Sequence, residues 1–131
     1  MFLDASAMIG ILAEEEDHLQ KKKKLASASR VLISPLAYYE ACVGLARSAE
    51  INPTDAETIV RKLLKVSRAE TIELSAEIGF EAMNAHSRFG KGRHRASLNM
   101  GDCFAYACAK VSRVPLLCKG NDFIHTDIVL A

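Results

Sequence analysis

The chain has 131 residues, 50% hydrophobic and 25% charged, with 17 Lys and Arg against 16 Asp and Glu for a net charge of +1 at pH 7. That length makes one domain, residues 1–131, able to bury roughly two-thirds of its unfolded surface without staples. No apolar run approaches the ~18 residues of a membrane span, no basic leader precedes Asp4, and balanced charge leaves a polyanion only local patches to meet. Cys42, Cys103, Cys108 and Cys118 form no CxxC pair and lie within apolar patterns. They read as reduced thiols, which places the protein in the cytoplasm with no membrane partner.

In chain order, Phe2-Leu3 is a very short apolar run before Asp4, and Ile9, Ile11 and Leu12 follow at helical spacing. This predicts a buried strand feeding a helix over residues 7–13, with Ser6 as its cap. Asp4 then stands at the C-terminal edge of a parallel strand, where open α/β sheets bind ligands. A bland role in starting the helix is the competing account. Asp17 and Gln20 have capping-box spacing for a second helix carrying Lys21 to Lys24, a run that reads mainly as a solvated face. Residues 31–33 form the second strand, and Ser34-Pro35 starts a helix as cap and first residue. Leu36, Tyr39, Val43 and Ala46 mark its expected inner face. Glu40 leans toward that face and needs a cationic partner or a metal, because burying a lone carboxylate is costly.

Asn52-Pro53 begins another helix, residues 71–74 make the third strand, and Ser75 caps a helix through Ile78, Ala82, Ala85 and Phe89. Gly90 to Arg95 is a glycine-punctuated basic loop in which Lys91, Arg93 and Arg95 are candidate phosphate contacts or simply exposed cations. It lacks the GKS or GKT ending of a phosphate-cradling loop, and no GxGxxG turn occurs anywhere. Asn99 caps the last long helix and leaves Asp102 in its first turn, where the helix dipole favours an anion. Residues 115–118 are the fourth strand and 128–130 a short fifth. Asp122 follows the fourth strand as Asp4 follows the first, and Asn121-Asp122 also reads as an ordinary turn.

Alternating strands and helices argue for an α/β fold with a mostly parallel sheet between helices, and right-handed crossovers bring the strand ends to one edge. Asp4, Glu40, Asp102 and Asp122 then share one crevice. Two like charges at ~4 Å cost about 4 kcal/mol at an effective dielectric of 20, so protonation or a divalent cation must balance them. Oxygen donors without interleaved His or Cys favour Mg²⁺ or Mn²⁺ over zinc. The natural chemistry is metal-assisted hydrolysis of a phosphodiester by an activated water. Haloacid-dehalogenase-type phosphotransfer would need Asp-x-Asp, and position 6 is Ser.

Four segments, in order, resemble a PIN-domain ribonuclease of the VapC toxin type: Met1-Phe2-Leu3-Asp4-Ala5-Ser6; Ser34-Pro35 with Glu40-Ala41; Leu98 to Ala107; and Leu117 to Phe123 with Thr126-Asp127-Ile128. The resemblance implies a PIN-like three-layer fold with a five-stranded sheet in the order 3-2-1-4-5. It implies an endoribonuclease that needs Mg²⁺ or Mn²⁺, a cognate antitoxin that inhibits it, and a homodimer. It assigns metal-holding and catalytic roles to Asp4, Glu40, Asp102 and Asp122, with Ser6 and Asn99 as supporting polar residues. Asp127 competes with Asp122 for the place of the fourth acid. A PIN-like RNA- or protein-binding module without catalysis is the alternative.

Overall fold

The computed structural model describes residues 1–131. Strand β1 (Phe2–Leu3) leads into α1 (Ala5–Leu12) and α2 (His18–Ser27); β2 (Leu32–Ile33) leads into α3 (Pro35–Ser48) and α4 (Pro53–Val66). Strand β3 (Glu70–Thr71) precedes α5 (Ala76–Phe89) and α6 (Met100–Val111), and β4 (Leu116–Leu117) precedes a 3₁₀ turn at Asp122–His125. The four strands pair in parallel in the order β3-β2-β1-β4, with Phe2 opposite both Leu32 and Leu116. Both residues of β1, β2 and β4 are buried, the mark of a parallel sheet covered on its two faces. The edge strand β3 carries exposed side chains.

The expected fifth strand is present only as a single parallel bridge, Leu130 to Leu116, held by Leu116 N–H to Val129 C=O at 2.8 Å and Ala131 N–H to Leu116 C=O at 2.9 Å. It lies in the fifth position of the 3-2-1-4-5 order, as one bridge rather than a ladder. The preceding turn is pinned from the side instead. The buried Tyr106 hydroxyl donates to Asp127 Oδ1 at 2.5 Å, and Arg88 donates to Asp127 Oδ2 at 2.8 Å. No helix is long and apolar enough to cross a membrane.

Helix starts follow the sequence closely. Ser34 accepts from Ala37 N–H at 3.1 Å and Ser75 from Ile78 N–H at 3.3 Å, each satisfying an orphan donor of the first turn. The second helix departs from expectation: Asp17 makes no capping bond and pairs with Lys21 instead. The inner face of α3 also differs. Tyr39 is 63% exposed and Val43 faces solvent, whereas Ala37, Ala41 and Leu45 are buried. Close approach of α1 bears on this: a Cβ on Gly44 would collide with the Ile9 side chain, so small residues suit the part of α3 nearest α1. Along α5, the expected Ile78, Ala82, Ala85 and Phe89 are all buried.

Four helices close on a left-handed residue that is not glycine: Glu14 after α1, Glu50 after α3, Arg68 after α4 and Arg113 after α6. In each, the next N–H reaches back to a carbonyl five residues earlier, as Ile51 does to Ala46 at 3.0 Å and Ala69 to Leu64 at 2.9 Å. Left-handed geometry crowds Cβ against the following carbonyl, a cost of roughly 1–2 kcal/mol that glycine escapes, less its greater unfolded entropy. Glu50→Gly, at an exposed site with φ of 52°, should therefore raise stability by about 0.5–1 kcal/mol in urea unfolding. A loss of stability would show that Glu50 contributes more through its side chain than its backbone costs.

Candidate active site

The site is built on the end of β1. Asp4 N–H donates to Leu117 C=O at 3.0 Å, extending the β1–β4 ladder by one residue and aiming the side chain beyond the sheet edge. Asp4, not Ser6, is the cap of α1, because the helix begins at Ala5; its Oδ2 accepts from Ser6 N–H at 2.9 Å. The Ser6 hydroxyl also donates to Oδ2 and in turn accepts from Lys119 N–H at 2.9 Å. Asp4 is only 4% exposed, and burial raises its pKa although the Ser6 bonds oppose the shift.

Asn99 and Asp102 form a reciprocal capping box at the start of α6. Asp102 N–H donates to Asn99 Oδ1 at 3.0 Å and Asn99 N–H to Asp102 Oδ2 at 2.9 Å, while Asp102 keeps its second oxygen unspent. Burial lifts the Asp102 acid to about 6, and the charges of Asp4 and Asp122 add to the lift against the Asn99 backbone bond. Glu40 is half-buried on α3, and its carboxylate occupies the space a Cβ on Gly101 would take. Its pKa is raised by burial, then by Asp4 and Asp102. The Arg or Lys salt bridge that could have neutralised Glu40 is not there. Nor does one reach Asp4 or Asp102.

Asp122 lies exposed at the start of the 3₁₀ turn, with its charge acting on Asp102. Asp127 is engaged elsewhere. Burial pushes its acid up, but the Tyr106 and Arg88 bonds outweigh burial and hold it below the usual range. Lys91, Arg93 and Arg95 are exposed on a loop whose neck is closed by Lys91 N–H to Leu98 C=O at 2.9 Å and Leu98 N–H to Phe89 C=O at 3.0 Å. That neck adjoins Asn99. His94 within the loop is structural, packed edge-on against Phe89 at 5.4 Å with Nδ1 accepting from Ala96 N–H at 3.2 Å.

Three contributors were missed from sequence. Gly101 makes the nest for Glu40 and sits in a helix start with no turn signal. The Lys119 backbone N–H fixes Ser6, a contact 113 positions long. Lys21 is 4% exposed rather than part of a solvated face, while Lys22 and Lys23 are exposed; its i, i+4 spacing from Asp17 was the available clue. Cys118 borders the acids, and its thiol is pushed up to about 12, first by burial and then by Asp4, against the opposing charge of Lys21. It is therefore a poor nucleophile.

No three His, Cys, Asp or Glu side chains close tightly enough to cage an ion by themselves. Mg²⁺ does not require that, since it keeps several waters and takes one or two carboxylates. An all-oxygen donor set, unpaired acids whose proton affinity is raised by burial and by neighbouring carboxylates, and the space left by Gly101 suit such an ion.

The folded chain holds a proton on Asp102 between the ordinary 3.8 and about 6, where the unfolded chain has lost it. Its contribution to stability therefore falls as pH rises through that window. Asp102→Asn keeps a cap acceptor and removes the charge. In chelator-treated protein at pH 7 the variant should be more stable than wild type by on the order of 1 kcal/mol, with the gap closing near pH 4. Thermal unfolding across that range checks it, and a less stable variant at pH 7 would mean that the helix dipole outweighs the repulsion.

Comparison with known proteins now bears on this geometry. The PIN domain model matches residues 1–129. A VapC ribonuclease of Rhizobium meliloti is 35% identical over 139 residues, covering 97% of this chain and 98% of the relative. Ribonuclease VapC30 of Mycobacterium tuberculosis is 35% identical over 129 residues, covering 98% and 95%. Among solved structures, the fold is shared with VapC20 of Mycobacterium tuberculosis, a Sarcin-Ricin loop cleaving toxin, at a TM-score of 0.75 and 16% identity over 99% of this chain and 97% of that one. It is shared equally with VapBC2 of Rickettsia felis bound to a DNA fragment from its promoter, at 0.72 and 18% over 99% and 96%. With its strand order, its acids at the strand edge and near full-length identity to these relatives, the chain belongs to the PIN-domain family and, within it, to the VapC ribonucleases.

Proposed function

We propose that the protein is a toxin endoribonuclease that cleaves RNA phosphodiester bonds with Mg²⁺ or Mn²⁺ held by Asp4, Glu40, Asp102 and Asp122, and that a cognate antitoxin restrains it. One observation carries the reading. Asp4, Glu40 and Asp102 come from three separate elements, all have their proton affinity raised by burial, with the charge of Asp4 adding to it at Glu40 and Asp102, and have no cationic side chain paired to them. Unpaired, mutually repelling acids are costly to stability, and such groups cluster at functional sites. The ribonuclease relatives and the toxin–antitoxin complexes of like fold support the substrate and the partner.

A bound divalent cation supplies Lewis acidity, offsetting charge that builds on the phosphate and favouring deprotonation of water. The chain's own part is to place acids. Ser6 holds Asp4 in one orientation and Lys119 N–H holds Ser6, so the first acid is fixed before substrate arrives. The capping box fixes Asp102 with one oxygen and leaves the other for an ion or a water. Glu40 reaches the same space from α3 over Gly101. Lys91, Arg93 and Arg95 offer exposed cations for the RNA backbone, a contact that carries no sequence information. The inactive binding module is the weaker reading, since all four acids are retained.

Purified protein free of antitoxin should cut total RNA with Mn²⁺ and not with EDTA. Asp102→Asn should slow cleavage by roughly 10²–10³-fold, and Gly101→Ala, which displaces the Glu40 carboxylate, should also slow it in a folded protein. Cleavage that persists in Asp102→Asn would reject this site, and cleavage in EDTA would reject the metal. A homodimer is the proposed assembly, supported by exposed Tyr39 on α3 and Val66 on α4. Sedimentation at micromolar concentration should give twice the 14.3 kDa chain mass; a monomer would refute it.

A further inference from the structure

A second feature lies beside the acids and shares only Asn99 with the residues that hold them. Helices α5 and α6 and the neck of the basic loop enclose an open cleft of about 580 Å³. Its walls are apolar, with Met83, Met100 and Phe104 among them, and Met83 and Met100 are 61% and 66% exposed. Its polar members are His86, Lys91 and Asn99, and no carboxylate lines it. Asn99 belongs to both places: it borders the cleft and closes the capping box with Asp102. From this structure we infer that the cleft seats one unpaired nucleobase of the RNA strand, next to the phosphate to be cut. The inference rests on the ribonuclease reading above and adds to it the element that senses base identity.

The chemistry of a base matches the lining on three counts. A base has two apolar faces and a polar edge, and single-stranded RNA is read by stacking those faces and bonding that edge. Thioether and phenyl groups supply the faces here, and Met adapts its shape to different rings. The polar members have bonding capacity to spare. Asn99 spends its carbonyl oxygen on Asp102 N–H, which leaves its amide N–H₂ as a donor, and the Lys91 ammonium pairs with no carboxylate. Charge decides between occupants. The rim next to Lys91 continues into Arg93 and Arg95, so the attached chain is favoured if it is anionic, as a phosphate backbone is and an ordinary apolar peptide is not.

The test uses the full chain with Met83→Ala and Met100→Ala combined, both at exposed positions that leave the core intact. The probes are fluorescently labelled eight-nucleotide RNA homopolymers and matching oligomers with one abasic position, bound in EDTA and read by anisotropy. The double variant should lose on the order of 10-fold in affinity for the intact oligomers. Its slope of log affinity against log salt should stay unchanged, because no charge is removed. The best-placed abasic oligomer should bind wild type as weakly as the variant binds the intact one. In the Mn²⁺ cleavage reaction, end-sequencing should show the variant's preference relaxed at one position flanking the cut.

Equal affinity of variant and wild type for intact oligomers would overturn the inference. So would a variant that turns a dimer into a monomer while binding RNA as before, which would assign the cleft to a second copy. Base-dependent binding in a wild type that never cuts would sink the ribonuclease reading and leave the cleft's role standing. Cleavage with normal base preference in the double variant would do the reverse.

Discussion

The site depends on β1 being the central strand of a parallel sheet. Phe2 and Leu3 have no exposed surface, and they are flanked by β2 on one side and β4 on the other. Two residues suffice because pairing from both sides fixes direction and register together. Asp4 N–H continues the ladder to Leu117 C=O, so the acid leaves the sheet at a fixed point and angle. A helix must then start at once, and Asp4 caps it. The buried strand and the acid's position are one constraint.

From that point the electrostatics follow. Asp4, Glu40 and Asp102 meet in a partly buried space, none of them is paired with a Lys or Arg, and each is harder to ionise than in water. Elsewhere the chain pairs its charges readily, as in Arg88–Asp127, Lys110–Glu81 and Lys119–Glu15. The contrast sets the proposed metal-holding acids apart better than their residue type does. Asp127 illustrates the difference: it lies close in sequence to Asp122, but its bonds to Tyr106 and Arg88 make it a tether for the C-terminal turn.

Several residues serve folding and site at once. Asp4 and Asp102 satisfy orphan N–H groups of α1 and α6 with one oxygen each. The cap and the functional group are alternatives only when both oxygens are spent. Gly101 permits Glu40 to sit over a helix start that any larger residue would fill. Asn99 extends this economy, since it joins the acid it holds to the apolar cleft beside it.

Local rules made much of this visible in the sequence alone. Strand–helix alternation, the caps at Ser34, Ser75 and Asn99, the inner face of α5 and the placement of acids after two strands depend on neighbours within about four residues. The family resemblance lay in the same short motifs. Tertiary structure decided what local signals cannot carry. Ile9 entering the space above Gly44 bears on the face of α3, and small residues such as Ala37 and Ala41 give hydrophobic periodicity little amplitude. Helix ends at Glu50 and Arg68 lack the glycine that would have announced them. The burial of Lys21, the seat of Glu40 and the engagement of Asp127 by Tyr106 and Arg88 all depend on elements brought together across the chain. Only packing reveals which charges are paired and which are left alone.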